Sequence, residues 1–349
     1  MGLDNYYSGK RILVTGASGT VGSELVKQLL LQDVTELRIV DNNEERLFFL
    51  DENYSGNGKL NCVFGDIRDE YKMNEVTKDI DYVFHAAALK HVPICERAPF
   101  DAVMSNIIGV QNVLRASLNN DVGRVIFTST DKAVNPTNVM GTSKLMGERL
   151  ITAANNYAKG SGIAFSSTRF GNVLASRGSV IQAFYQQIKN GGPVRLTDKG
   201  MTRFIMTIEE SVRLVLAAGR LARGGEIFVP KMQVIRIVDL ARVMIDMFAP
   251  MFGYDPDAIE VKIVGSRPGE KLYEELMTGE EASRAIELED LFSILPAFSP
   301  LYKDIEYNYS GKVSERVKDA YDSETQPALT LDELRAYLQE NDVTKYCGA

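Results

Sequence analysis

Histidine and cysteine are scarce in this chain of 349 residues, which contains two histidines and three cysteines. Cys62, Cys95 and Cys347 are scattered and form no CxxC pair, so they indicate neither a zinc site nor a disulfide framework. Two histidines, His85 and His91, are too few for a histidine-based metal site. We therefore expect no metal centre, and this cysteine usage fits a cytoplasmic protein.

Long apolar runs and an excess of positive charge are also missing. No apolar run approaches the roughly 18 residues of a membrane-spanning helix, so we expect neither a membrane span nor a signal peptide. Lysine and arginine total 39 against 47 acidic residues, which gives a formal charge of −8. This balance argues against nucleic-acid binding, which requires a basic face, but it allows a small anionic ligand in a local pocket.

Short apolar runs alternate with segments of helical spacing in the first half of the chain, most clearly the helix predicted for residues 104–118. Strands that alternate with helices indicate βαβ units. Right-handed crossovers then give a doubly wound parallel sheet, so the predicted fold class is α/β. The predicted strands cover residues 10–14, 37–40, 60–64, 81–85 and 124–128.

A glycine-rich turn follows the first predicted strand and opens a helix. Gly16, Gly19 and Gly22 permit a tight turn, a close approach to a pyrophosphate, and close packing of helix against strand. The helix N-terminus adds amide donors and the positive end of a dipole. The motif predicts a dinucleotide site whose loop residues are Gly16, Ser18, Gly19, Thr20, Val21 and Gly22.

Acidic and small residues follow the next three strands. Asp41 is placed to accept hydrogen bonds from the adenosine ribose and to repel a 2′-phosphate, which favours NAD, although Arg46 leaves NADP open. The same carboxylate is suited to cap the helix that begins near Asn42. Asp66 is expected near the adenine, and Ala86 to Ala88 allow the backbone to run close to the cofactor.

The fifth strand leads into Ser129, Thr130, Asp131 and Lys132, beside the expected nicotinamide. Asp131 and Lys132 form either an acid–base pair or a structural ion pair. Lys144, near the start of the next helix, is suited to hold the nicotinamide ribose or to lie in solvent. Many nicotinamide enzymes carry a proton-transferring tyrosine four residues before this lysine, but Met140 occupies that position and is interpreted as helix packing.

The motifs together resemble those of extended short-chain dehydrogenases/reductases. More narrowly, the chain resembles the nucleotide-sugar 4,6-dehydratases of the CapD-like polysaccharide-biosynthesis group, from about residue 10 to about residue 276. The motifs that carry the resemblance are residues 15–22, 85–93 (HAAALKHVP), 129–133 (STDKA), 135–138 (NPTN), 169–173 (RFGNV), 202–204 (TRF) and 267–271 (RPGEK).

The resemblance implies a mechanism. A hydride passes from sugar C4 to NAD, Lys132 removes the C5 proton, Asp131 protonates the departing C6 hydroxyl, and the hydride returns to C6. Thr130 would orient or relay the C4 hydroxyl proton. Members that retain the C5 configuration often carry methionine at the position of Met140.

The same resemblance implies the ligands and completes the site. The expected substrate is UDP-N-acetylglucosamine, with GDP and dTDP sugars left open, and the expected assembly is a homo-oligomer, at least a dimer. The cofactor set gains Asn42, Arg46, Ile67, Lys90, Phe170 and Val173. The predicted substrate-binding residues are Lys90, His91, Asn172, Arg203, Lys231, Arg267 and Glu270.

The predicted domain order has three parts. Residues 1–170 form the dinucleotide-binding domain. Residues 171–308, where glycine and proline become denser, form a smaller α/β substrate-binding lobe interleaved with it. Residues 309–349 form a C-terminal cap or tail with one amphipathic helix at 331–338.

Two other functions stay open at this stage. A nucleotide-sugar 4-epimerase would share the fold and the first hydride step, but it depends on the tyrosine that Met140 replaces. A non-catalytic NAD(P)-sensing regulator would have no use for the pair formed by Asp131 and Lys132.

Overall fold

The computed structural model describes residues 5–174, 179–265 and 269–346. Within them the strands, in chain order, are β1 (Arg11–Thr15), β2 (Glu36–Asp41), β3 (Leu60–Phe64), β4 (Tyr82–His85), β5 (Arg124–Thr130), β6 (Ala164–Phe170), β7 (Asn172–Val173), β8 (Val194–Leu196), β9 (Thr202–Met206), β10 (Ile227–Pro230), β11 (Gln233–Arg236), β12 (Val261–Ile263), β13 (Glu275–Met277), β14 (Ala285–Leu288), β15 (Leu291–Ile294), β16 (Lys312–Ser314) and β17 (Tyr321–Asp322).

Helices connect most of these strands. They are α1 (Thr20–Leu30), α2 (Glu44–Asn53), α3 (Glu70–Val76), α4 (Val92–Arg97), α5 (Pro99–Val103), α6 (Gly109–Asn119), α7 (Val139–Ala154), α8 (Val180–Lys189), α9 (Ile208–Leu221), α10 (Ile237–Phe248), α11 (Gly279–Ala282) and α12 (Leu331–Glu340). None of these described helices has both the length and the apolar character that a membrane span requires.

The chain folds into two compact units. The first contains Met1–Phe170, Ser211–Lys231 and Met277–Ala320, and the second contains Gly171–Glu210, Met232–Leu276 and Tyr321–Ala349. This division differs from the predicted boundaries at residues 308 and 309. The physical reason is that the chain returns twice to the first unit, where β10 and then β14 to β16 extend its sheet.

A ten-stranded sheet forms the centre of the first unit, in the order β16-β14-β15-β10-β6-β5-β4-β1-β2-β3 among the described strands. The seven neighbouring strands from β10 to β3 pair in parallel. The strands β15, β14 and β16 are added through antiparallel pairs, β10 with β15, β15 with β14, and β14 with β16. The predicted doubly wound α/β fold is therefore confirmed. The strand order reverses between β1 and β4, which opens a crevice at the carboxyl ends of these strands.

The sheet is buried on both faces, as its sequence requires. β6 is buried along its whole length, and β1 is buried at every residue except Arg11. Continuous burial of this kind is typical of parallel strands covered by helices on both sides. One apolar cluster of the first unit joins strand and helix residues, among them Leu13, Val83, Val125, Phe127, Phe165, Met73, Val110 and Ile151.

The predicted helix at residues 104–118 has a different start. A π-helical turn at Met104–Ile108 precedes α6. Inside this turn Asn106 is buried, and its side chain accepts from Leu89 N–H at 2.8 Å and donates to Leu89 O at 2.9 Å. This inserted amide holds the segment that follows β4.

The second unit has its own apolar core. It contains the sheets β11-β9-β7 and β12-β8 and the strand pair β13 and β17. α8, α10 and α12 contribute Ile188, Leu240, Phe248, Leu334 and Leu338 to one buried cluster. Leu334 and Leu338 have no exposed surface, so α12 is a core element of this unit, whereas the sequence predicted a peripheral cap or tail.

Candidate functional site

The glycine loop between β1 and α1 is shaped for a close ligand. Gly16 has a φ of +69°, and a Cβ there would lie 2.6 Å from the Cα of Ala87. A Cβ on Gly22 would lie 2.1 Å from the carbonyl oxygen of Gly16. Gly19 is the N-cap of α1, whose first turn carries no acidic side chain. The amide groups of this turn are therefore suited to bind a pyrophosphate.

Acidic side chains after β2 and β3 brace this loop. Asp41 Oδ2 accepts from the backbone N–H of Ser18 at 2.9 Å, which ties the end of β2 to the glycine turn. Asn42 donates its side-chain amide to Asp66 at 3.1 Å. Hydrogen bonds from Arg68 lower the pKa of Asp66 to about 2, so this carboxylate stays ionised. Arg68 was not among the predicted site residues, and its position two residues after Asp66 is the one sequence signal that could have indicated this pair.

A histidine that the prediction left without a role lies at the end of β4. His85 pairs in register with Thr15 of β1, and their Nδ1 and Oγ1 atoms are 2.6 Å apart. Burial, together with the charge of Lys144, lowers the pKa of His85 to about 3, so the ring is neutral. The next residue, Ala86, donates its N–H to Thr15 O at 3.1 Å, which draws the alanine segment toward the glycine loop.

The predicted catalytic residues form a tight turn after β5. Thr130 Oγ1 donates to Asp131 Oδ1 at 2.7 Å. The same oxygen accepts from the backbone N–H of Lys132 at 2.9 Å and from its Nζ at 3.0 Å. The Asp131 side chain is 1% exposed, whereas that of Lys132 is 30% exposed. One carboxylate oxygen of Asp131 therefore accepts hydrogen bonds from both Thr130 and Lys132, and the Lys132 side chain is partly exposed.

Three buried polar atoms at the ends of β4 and β5 have no hydrogen-bond partner among the described residues. They are His85 Nε2, Ser129 Oγ and Asp131 Oδ2. Buried polar groups in proteins are nearly always hydrogen-bonded, and exceptions call for an explanation such as a ligand. Their location at the carboxyl ends of parallel strands is that of a binding site.

Lys144 lies in the second turn of α7, which begins after Asn138 as the sequence predicted. The side chain of Asn138 caps the helix by accepting from Gly141 N–H at 2.9 Å. Lys144 Nζ donates to Thr128 O at 2.9 Å and lies 4.4 Å from the centre of the Phe127 ring. Burial lowers the pKa of Lys144 to about 8, although the Glu148 carboxylate opposes this effect. The lysine is therefore a buried group next to the site and not a solvated one.

Met140 packs in a small apolar cluster. It is 3% exposed and contacts a group formed by Cys95 and Ala102, with Leu89, Val92 and Val139 at its edge. This packing supports the interpretation of Met140 as a structural residue.

The other predicted residues of the first unit occupy varied positions. Phe170, at the end of β6, is paired in register with Thr130, which places it beside the turn that follows β5. Ile67 is buried and fills the space above Gly109. Lys231 Nζ forms an ion pair with Glu287 at 2.8 Å. Lys90 and His91, which follow β4, are exposed to solvent, and so is Arg46 of α2.

Two predicted substrate residues of the second unit lie on one small sheet. Asn172 of β7 pairs with Ile205 of β9, and Arg203 lies on the same β9. The Arg203 guanidinium donates to Lys271 O at 2.8 Å and to Leu272 O at 3.0 Å, so it holds the segment that contains Glu270. A phosphate contact by this arginine would compete with these carbonyls.

Val173 also lies in β7 and pairs with Met206. Glu270 is exposed, and one of its carboxylate oxygens lies 4.0 Å from an Arg203 nitrogen. Arg267 lies outside the described residues.

A doubly wound sheet, a glycine loop at its switch point and an acid–base turn after β5 define a dinucleotide-dependent short-chain dehydrogenase/reductase of the extended type. The family model described as "Polysaccharide biosynthesis protein" matches residues 12–296, which is more than half of the chain. The chain belongs to this family of nucleotide-sugar dehydratases and epimerases.

Curated relatives carry more than one function. The chain is 47% identical to an uncharacterized membrane protein of Methanocaldococcus jannaschii, over 97% of this chain and 98% of that one. It is 38% identical to a UDP-glucose 4-epimerase of Rickettsia massiliae, over 94% and 95% of the two chains. It is 36% identical to an inverting UDP-N-acetylglucosamine 4,6-dehydratase of Campylobacter jejuni, over 92% and 94%.

Solved structures agree with the fold. Pen from Bacillus thuringiensis superposes with a TM-score of 0.88 at 38% identity, covering 97% of this chain and 99% of that one. The dTDP-glucose 4,6-dehydratase of Streptomyces venezuelae, solved with NAD bound, has a TM-score of 0.65 at 23% identity, over 75% and 86%. At that identity the second likeness concerns the fold alone.

Proposed function

We propose that this protein is an NAD-dependent nucleotide-sugar 4,6-dehydratase that acts on UDP-N-acetylglucosamine. The observation that carries the proposal is the turn formed by Thr130, Asp131 and Lys132. There a buried carboxylate has one oxygen without a hydrogen-bond partner in the described part of the chain, next to a partly exposed lysine. Elimination of water from a sugar requires an acid and a base at adjacent carbons.

The first unit contains the parts that would hold the cofactor. The glycine loop would receive the pyrophosphate, Asp41 the adenosine ribose, and Lys144 the nicotinamide ribose. Bound NAD supplies a reversible hydride acceptor. The carboxylate of Asp41 would repel a 2′-phosphate at the same place, which favours NAD over NADP.

Lys132 and Asp131 would act as base and acid. A lysine that removes a proton must first lose its own, and the contact of 3.0 Å from Lys132 Nζ to Asp131 Oδ1 gives that proton a path. Its transfer leaves a neutral amine to accept the C5 proton and a carboxylic acid to protonate the C6 hydroxyl. Thr130, hydrogen-bonded to the same carboxylate, would orient the C4 hydroxyl.

Within the first unit, Lys90 and His91, which follow β4, are the proposed substrate-binding residues. Within the second unit, the proposed substrate-binding residues are Asn172, Arg203 and Glu270. Arg203 donates hydrogen bonds to the carbonyl oxygens of Lys271 and Leu272. The role of Arg203 would therefore include positioning that segment as well as binding phosphate. The identity of the base and the C2 substituent rests on the likeness to the Campylobacter jejuni dehydratase.

An epimerase is the second candidate, because the Rickettsia massiliae relative carries that name at 38% identity. Return of the hydride to C4 would require no acid at C6, so the turn after β5 favours the dehydratase. The packing of Met140 also leaves its position without a proton carrier.

The mass of the product separates these functions. We expect incubation with UDP-N-acetylglucosamine and NAD to give a product lighter by one water, detected by mass spectrometry. A product of unchanged mass with altered C4 configuration would establish the epimerase. No turnover with any nucleotide sugar, despite NAD binding, would support a sensor. UDP-glucose run in parallel tests the requirement for the acetamido group.

A homo-oligomer and a cytoplasmic location remain predictions. The exposed apolar side chains of α4 and α5 and the following π-helical turn, such as Ile94, Phe100 and Met104, are consistent with an association surface. Light scattering of the purified protein would measure its mass in solution.

A further inference from the structure

A closed group of charges lies behind the cofactor site in the first unit. Arg169, on β6, is 1% exposed and is among the largest fully buried side chains of the described chain. It donates to Glu148 of α7 at 3.0 and 2.6 Å and to Glu281 of α11 at 3.0 Å through each of two nitrogens. Both contacts are bidentate, which is the strong geometry for a guanidinium and a carboxylate.

This group connects to the site through α7. Glu148 follows Lys144 by four residues, so the two side chains lie on the same face of the helix. Both are buried, at 1% and 6% exposure. Lys144 in turn reaches the end of β5 through Thr128 O. Arg169 is also paired in register with Ser129, one residue before the catalytic turn.

The charges of the group are matched to Lys144. If Arg169 were paired with a single carboxylate, the net charge of the group would be zero, and no negative charge would remain to stabilise the buried ammonium of Lys144. With two carboxylates, the group carries one net negative charge, which equals the one positive charge of Lys144. Burial and these carboxylates act on Arg169 in opposite senses, and the carboxylates raise the pKa of Arg169 above its ordinary value. It therefore stays charged.

We propose that Glu148, supported by Arg169 and Glu281, is a positioning residue that keeps Lys144 charged and placed for the cofactor. This inference rests on the role proposed for Lys144 in holding NAD. The other charged or titratable groups near Lys144 do not supply the negative charge. His85 of β4 is neutral, Asp131 is hydrogen-bonded to Lys132, and Glu96 of α4 accepts from Val139 N–H at the N-terminus of α7.

The test is the pH dependence of NAD affinity, measured without sugar by calorimetry between about pH 6 and about pH 10, which spans the lowered pKa of Lys144. Lys144 is charged below its pKa of about 8, so wild-type affinity should fall as the pH rises through that value. In Glu148→Gln the pH at which affinity begins to fall, the break in the profile, should move lower by about one unit. Affinity should then be about fivefold weaker than wild type near pH 8 and about tenfold weaker above about pH 9. Glu281→Gln, which removes a carboxylate more distant from Lys144, should move it less.

Two further variants keep the result decisive. Glu148→Asp retains the charge and should restore most of the wild-type break. Lys144→Arg, whose side chain does not titrate in this range, should bind NAD without a break. An unchanged break in Glu148→Gln, equal shifts in both glutamine variants, or a persistent break in Lys144→Arg would each overturn the proposal. Because no sugar is present, a failure of the proposed dehydratase activity alone would leave this result standing, whereas absence of NAD binding at every pH would reject both.

Discussion

Two groups of charges in the first unit differ in how completely their carboxylate oxygens are hydrogen-bonded. In the closed group of Glu148, Arg169 and Glu281, every carboxylate oxygen accepts a hydrogen bond, and the side chains are at most 7% exposed. In the turn of Thr130, Asp131 and Lys132, one buried oxygen has no partner among the described residues, and the Lys132 side chain is 30% exposed. A closed ion group maintains structure, whereas an open one retains capacity for a substrate.

The comparison predicts that changes in the closed group act mainly on stability. Arg169→Met leaves two carboxylates buried without their cation and should cost about 3–5 kcal/mol of unfolding free energy. Denaturant unfolding followed by circular dichroism measures this loss. Arg149→Met, one residue after Glu148 on the exposed face of α7, is the matched control and should stay within about 0.5 kcal/mol of wild type. An equal, small effect of both variants would show that the group is not an anchor.

Changes in the open turn should act on chemistry. Lys132→Ala removes the proposed base and should lower turnover by about 10³-fold, within the range usual for general acid–base groups. Because Lys132 is partly exposed, the melting temperature of the Lys132→Ala variant should stay close to that of wild type. The exposed Lys159→Ala is the control, and product formation is followed by mass spectrometry. Turnover of Lys132→Ala at the wild-type rate would contradict the mechanism.

The proton path between the two residues gives a sharper test. Asp131→Asn cannot receive the Lys132 proton, so exchange of the C5 proton in deuterated water should slow by about 10²-fold near pH 7. The remaining exchange should rise about tenfold per pH unit, because Lys132 would then lose its proton only to solvent. Exchange is read by NMR of the recovered sugar. An exchange rate equal to that of wild type and independent of pH would show that Asp131 does not take the proton.

The smallest effect is expected at Met140. Met140→Leu preserves the volume of the buried cluster, so it should cost less than about 1.5 kcal/mol. Turnover should stay within about twofold of wild type, because a group that only packs contributes nothing to the reaction barrier. Thermal unfolding and initial rates measure the two quantities. A loss of turnover comparable to that of Lys132→Ala would assign Met140 a part in the chemistry.

The first unit was largely predictable from the sequence. β1 to β5 appear where apolar runs ended in glycine, aspartate or small residues, since buried parallel strands leave a periodic and continuous signal. The proximity of Thr130, Asp131 and Lys132 was predictable because these residues are consecutive, and their catalytic role stays a prediction. The helix at 104–118 was located correctly, but its π-helical start was not predicted, because the inserted Asn106 contacts Leu89 through tertiary structure.

The closed charge group was not predictable in the same way. Arg169 and Glu281 are separated by 112 residues, and they meet Glu148 only when β6, α7 and α11 are assembled. A lone arginine in a strand pattern suggests an edge or a phosphate contact, and the sequence gives no sign of two carboxylates around it. The return of residues 277–320 to the first sheet was missed for the same reason, because strand pairing over long distances leaves no local pattern.

In the proposed reaction, the hydride removed from C4 of the sugar returns to C6 while water leaves. The most direct measurement uses UDP-N-acetylglucosamine carrying deuterium at C4, with the position of the label in the product read by NMR. We expect the deuterium in the new methyl group at C6 of a 4-keto product. Deuterium that remains at C4 of an epimerised sugar would contradict the account and assign the protein to the epimerases.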